Sequence, residues 1–148
     1  MKKIVLNLQL ACNNLNGIPN KSTFTRWIRC IFSSYHRKCI ELSIRIVDEM
    51  ESRSLNMYFL KKKNPTNVLS FPFYPPLWLN TTIIGDLVIC YQIIKHEAKI
   101  NNISIERQLA YVVIHGSLHL MGYDHITTND TEIMEKMEKK IMYNLGYR

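Results

Sequence analysis

The chain has 148 residues, 47% of them hydrophobic and 21% charged, and carries a formal net charge of +7. These values exclude a disordered polyelectrolyte and fit one domain, residues 1–148, with a core of its own. The basic balance favours polyanionic partners, nucleic acid above all, because neutralising phosphates releases counterions.

In chain order, Ile4, Leu6, Leu8 and Leu10 share one face while Asn7 and Gln9 lie on the other, so residues 4–10 read as a half-buried strand. Lys2 and Lys3 before this stretch and Cys12 after it imitate a lipoprotein signal, but the apolar part is short and interrupted. No run reaches the ~18 apolar residues of a membrane helix, so a cytoplasmic protein with no membrane partner is expected. Residues 13–21, with Gly17 and Pro19, form a turn-rich connection. Ser22 is the expected cap of a helix reaching about Tyr35, with Phe24, Trp27, Ile28 and Ile31 at helical spacing. Cys39 to Val47 alternates again, with Ile40, Leu42, Ile44 and Ile46 on one face, and reads as a strand. Asp48 is then expected to cap a helix running to about Tyr58.

The second half begins with a polar, basic loop from Lys61 to Asn67. Val68 to Phe73 is β-prone, and Pro72 places that strand's end, or the whole strand, at a sheet edge. Pro75 and Pro76 break the chain, and Thr82 to Tyr91 follows as a strong strand with a bulge or close backbone approach at Gly85-Asp86. A short helix is expected over Gln92 to Ile100. Another runs from Ser104 to a stop near Gly122, with Leu109, Val112 and Val113 inside. A last helix is expected from about Asn129, with Glu132 as capping partner and Ile133, Met137, Ile141 and Leu145 as its core stripe. Strands and helices mix without strict alternation, which predicts an α+β fold: a small mixed sheet packed with helices. Cys12, Cys30, Cys39 and Cys90 form no C-x-x-C pair and read as small buried hydrophobes in a reducing compartment.

The chemistry concentrates in His115, His119 and His125. His115 and His119 are i and i+4 on a predicted helix, a rotation of about 400°, so both rings project from one face. Gly122 lets the chain reverse and return His125 to that pair. Three imidazoles leave one position of a tetrahedral site open, the mark of a catalytic rather than a structural zinc. Zinc is favoured over magnesium because imidazole is a borderline ligand and no carboxylate cluster accompanies it; one Zn2+ per chain is expected. Asp124 either orients a ligand histidine, caps the turn or serves as the catalytic base. The metalloprotease motif places a glutamate after its first histidine; Gly116 stands here, which weakens a peptidase reading. His36 and His96 read as ordinary histidines outside the motif.

The run His115 to His125 resembles the signature of the YbeY family, bacterial metal-dependent endoribonucleases of ribosomal RNA maturation. Asn64 to Pro72, Gly85 to Ile89, Leu55-Asn56 and the ending Leu145-Gly146-Tyr147 are similar as well. The resemblance spans residues from about 40 to the C-terminus. It implies an α+β domain with a zincin-like site, zinc on His115, His119 and His125, and hydrolysis of single-stranded RNA. It also implies a task in 3′-end maturation of 16S rRNA and in ribosome quality control, with ribosomal RNA and the small ribosomal subunit, not DNA, as partners. His115 would count among the catalytic residues as well as the ligands. One departure stands out. The family's pattern has an arginine after an aromatic residue upstream of the Pro-Thr-Asn-Val block, and Leu60 after Phe59 takes its place here. Lys61, Lys62 and Lys63 are then candidate RNA contacts, although lysine lacks arginine's bidentate fork and such a run also fits a solvated loop. Gly85 and Asp86 are expected to shape a wall of the site. Phe71 and Phe73 fit core packing better than base stacking. Two rivals follow: a ribosome-associated RNA-binding protein with reduced or lost catalysis, and a zinc metallopeptidase-like hydrolase.

Overall fold

The computed structural model describes residues 1–147. The elements run β1 (Lys3–Ala11), α1 (Lys21–Ile31), β2 (Cys39–Val47), α2 (Glu49–Leu60), β3 (Val68–Pro72), β4 (Ile83–Cys90), α3 (Tyr91–Ile100), α4 (Ile105–Leu120) and α5 (Thr128–Asn144). The sheet order is β1-β2-β4-β3. β1, β2 and β4 are parallel, and β3 returns antiparallel along β4 at the edge, as Pro72 predicts. The fold is α+β, a mixed four-stranded sheet with helices on both faces.

The alternation in β2 decides where the core lies. Ile40, Leu42, Ile44 and Ile46 are all buried on the face covered by α1 and α4, where Phe24, Trp27 and Phe32 are fully enclosed. Burying each such aliphatic side chain stabilises by about 1.5–3 kcal/mol. The other face carries a smaller cluster of Val47, Leu69 and Val88, against which Leu55 of α2 packs. A register shift between Glu41 and Leu42 opposite β4 is the expected bulge. At Gly85 the backbone has φ +153°, and a Cβ would lie 2.4 Å from the Phe71 carbonyl oxygen, so close approach and bulge occur together.

Several boundaries differ from the sequence expectation. Asn20, not Ser22, caps α1: its Oδ1 accepts from Thr23 N at 3.1 Å, and Ser22 Oγ donates to the same oxygen. That helix stops at Ile31 instead of Tyr35. Asp48 occupies the cap position of α2, yet its carboxylate accepts from the Asn13 backbone and from Gln92 Nε2 instead of from its own helix. α2 continues to Leu60, past the expected Tyr58. Thr127, not Asn129 with Glu132, caps α5 through Asp130 N at 3.0 Å. Of the expected stripe of α5, Ile141 is buried and Met137 and Leu145 are partly buried against the core, but Ile133 is 46% exposed, and Met134 and Glu138 are buried in addition. Of the cysteines only Cys90 is buried; Cys12, Cys30 and Cys39 are half-buried, and all four are free thiols. Among the described residues, no helix is long and apolar enough to cross a membrane.

Candidate metal centre

α4 starts at Ser104, whose side chain accepts from Arg107 N, and packs its apolar length against α1, β3 and β4. Gly116 permits that approach. A Cβ there would lie 2.9 Å from Leu87 Cδ2 and 3.1 Å from Ser70 Oγ, so a side chain at the position where a metallopeptidase carries its glutamate would have to displace side chains of the sheet. His115 and His119 flank Gly116 on the cleft side, near the helix end. Their Nε2 atoms are 3.2 Å apart.

The helix terminates in a Schellman motif. Gly122 N–H donates to the His119 carbonyl and Tyr123 N–H to the Leu118 carbonyl, both at 3.0 Å, with Gly122 at φ +100°. An L side chain is strained in that conformation, which explains the glycine. The reversal carries His125 back until its ring lies 5.1 Å from His119 and 5.9 Å from His115, centre to centre. One ring nitrogen from each histidine lies within 4.8 Å of the others. Thr131 Oγ1 of α5 donates to the Thr127 carbonyl at 3.0 Å, with the His125 carbonyl a longer contact at 3.4 Å.

This donor set fits a metal ion. Two ligands at about 2.0–2.1 Å and a tetrahedral angle stand roughly 3.3 Å apart, close to the separation of the two helical nitrogens. Among the described residues, no cysteine or carboxylate completes the group, so the protein offers three ligands and not four. Burial, then the neighbouring His115 and His125, hold the His119 ring below its ordinary pKa. The neutral, ligating form is thereby favoured, against smaller opposing effects of a Tyr123 backbone hydrogen bond and Asp124. His115 Nδ1 meets the Glu138 carboxylate at 2.6 Å. Nothing in the sequence pattern singles out Glu138 beyond a charge falling between apolar residues on the buried side of α5.

The three rings open into a cleft of about 730 Å³. Its far wall is the end of α2 (Phe59 and Leu60), Thr66 to Pro72, and Tyr74. Phe59 and Phe71 pack edge to face with centroids 4.9 Å apart. Two buried polar residues of α2 hold the intervening loop: Ser52 Oγ donates to the Thr66 carbonyl at 3.2 Å and Asn56 Nδ2 to that of Asn64 at 2.5 Å. Lys61, Lys62 and Lys63 are exposed and do not line the cleft. Lys61 is the left-handed C-cap of α2, φ 58°. Among the described residues, the cleft lining contains no lysine or arginine.

Asp124 does line the cleft, and its Oδ1 accepts from His125 N at 2.7 Å, the turn-fixing role among those left open by sequence. Gly85 and Asp86 are not wall residues. Gly85 backs the Phe71 carbonyl, while Asp86 is hydrogen-bonded to Ser43 on the sheet. Phe71 is half-buried and borders the cleft; Phe73 is 37% exposed and does not, so the core-packing expectation fails for Phe73. His36 and His96 are exposed and outside the group.

A mixed sheet bearing a helix with two converging histidines, and a third on the turn that ends it, defines an α+β protein with a three-histidine group that could hold a metal ion. The family model described as Endoribonuclease YbeY matches residues 11–146. A protein named Endoribonuclease YbeY from Blochmanniella floridana is 52% identical over 148 residues, covering 100% of this chain and 96% of its own. Its namesake from Blochmanniella pennsylvanica is 49% identical over 146 residues, covering 99% of this chain and 92% of its own. The chain belongs to the YbeY endoribonuclease family. The solution structure of TM1509 from Thermotoga maritima has a similar fold, with a TM-score of 0.59 at 24% identity over 93% of this chain and 90% of that one.

Proposed function

We propose that this chain is a zinc-dependent endoribonuclease of single-stranded RNA. Its task would be 3′-end maturation of 16S rRNA and ribosome quality control in the cytoplasm, with ribosomal RNA and the small ribosomal subunit as partners. The observation that carries this reading is the convergence of His115, His119 and His125 at the floor of an open cleft, in a chain of that family. These three residues would hold one zinc ion, which when bound acts as a Lewis acid and makes a nucleophile available from water near neutral pH. Asp124 Oδ1 is engaged by the His125 amide, which leaves Oδ2 to take a proton at the cleft surface. Phe59, Phe71 and Tyr74 supply aromatic rings to the cleft lining, where unstacked bases could pack.

A second reading is favoured by one observation. With Leu60 in the wall and, among the described residues, no lysine or arginine lining the cleft, a protein that binds RNA without cutting it also fits. Cleavage of a single-stranded RNA is to be assayed with chelator-treated and zinc-reloaded protein, beside a peptide substrate. Metal-dependent RNA cleavage that His119→Ala abolishes is the expected result; activity on peptide alone overturns the reading. If zinc-loaded protein leaves RNA intact both before and after Leu60→Arg, the binding-only reading stands instead.

A further inference from the structure

We propose that Glu138 is a positioning residue for the metal centre, fixing the tautomer and orientation of His115 from the opposite helix. This rests on the reading that the histidines hold a metal ion. Glu138 is only 4% exposed, although the other charged residues of its helix are exposed or, at Asp130, half-buried. A buried carboxylate persists only where a partner offsets its desolvation. That partner is His115 Nδ1, at 2.6 Å.

The consequence follows from the acceptor-only nature of a carboxylate. The ring proton is drawn to Nδ1, so in the neutral ring the lone pair resides on Nε2. It is Nε2 that faces His119 Nε2 across 3.2 Å, on the cleft side. Glu138 therefore points the donating nitrogen at the place where an ion would sit, and its negative charge makes that nitrogen the stronger donor. The Tyr111 ring stacks on His115 at 6.3 Å and 28°, so the imidazole is held by its face as well as its edge. A purely structural alternative exists, in which the pair only fastens α5 to α4.

Chelator competition for zinc on wild type, Glu138→Gln and Glu138→Leu separates the two roles. The amide oxygen of glutamine accepts more weakly, so about 10-fold weaker zinc binding is expected for Glu138→Gln, and about 100-fold for Glu138→Leu. Ring 15N shifts of His115, recorded on metal-free protein at a pH where the ring is neutral, should report an Nδ1–H tautomer in wild type and a mixture in Glu138→Gln. Thermal unfolding of the metal-free variants identifies any loss of folding, and the glutamine variant keeps the test open if the leucine variant does not fold. Wild-type zinc affinity and an unchanged tautomer in Glu138→Gln would overturn the proposal while leaving the metal site intact. A wild-type protein that takes up no zinc, or whose uptake does not depend on His119, would overturn the metal-site reading and this one together.

Discussion

The cleft has two walls built over different sequence distances. On the histidine wall, His115, His119 and Gly122 are placed by one helix and its terminal turn, and the local reversal brings in His125. On the facing wall, Phe59, Leu60 and Thr66 to Phe71 come from a helix end, a loop and an edge strand. These are held together by the Ser52 and Asn56 side chains. The first wall carries donor nitrogens and the second carries aromatic and neutral groups. Metal affinity should therefore depend on the first wall and substrate affinity on the second, and variants can be chosen to test that division.

Among variants of the turn, the facing wall and the lysine loop, the largest expected effect comes from Gly122→Val. A β-branched side chain in the left-handed region costs about 1–2 kcal/mol and disturbs the turn that returns His125. Its unfolding midpoint should fall, and equilibrium dialysis should show zinc binding weakened by more than stability alone explains. A variant that folds less well yet binds zinc normally would mean that His125 does not depend on the reversal.

Asn56→Ala should act on the other wall. Loss of the bond to the Asn64 carbonyl removes about 1 kcal/mol and loosens the loop that shapes the cleft. KM for a short single-stranded RNA should rise severalfold with zinc affinity unchanged. Weakened zinc binding in this variant would erase the distinction between the walls.

The smallest effect is expected from replacing Lys61, Lys62 and Lys63 together by alanine. These residues lie outside the cleft lining, so they should contribute only long-range attraction. RNA binding should weaken modestly at low salt, and the difference should fade as salt is raised. A large loss that persists at high salt would place the lysines in direct contact with RNA.

The same division explains what the sequence disclosed. The i, i+4 histidines and the glycine after them are local signals, and the strand pattern of β2 is local too, so the metal-ready group and much of the sheet were legible. Glu138 was not. The apolar spacing of α5 does not mark position 138, and only its partner 23 positions away, His115, accounts for its burial. The lysine run lies in the exposed loop that the sequence suggests; what the sequence does not show is that α2 extends through Phe59 and Leu60, which puts those two on the cleft wall and leaves Lys61 as the cap. Asn20 and Ser22 are both good caps by residue type, and the choice between them lies in the backbone path that tertiary packing sets.

The central claim is that three imidazoles gather around one ion, and metal analysis of the purified protein tests it most directly. Elemental analysis after dialysis against trace zinc should give about one ion per chain, lost in His119→Ala while that variant keeps its fold by circular dichroism. A folded wild-type protein that retains no metal, or a His119→Ala variant that retains as much as wild type, would contradict the account.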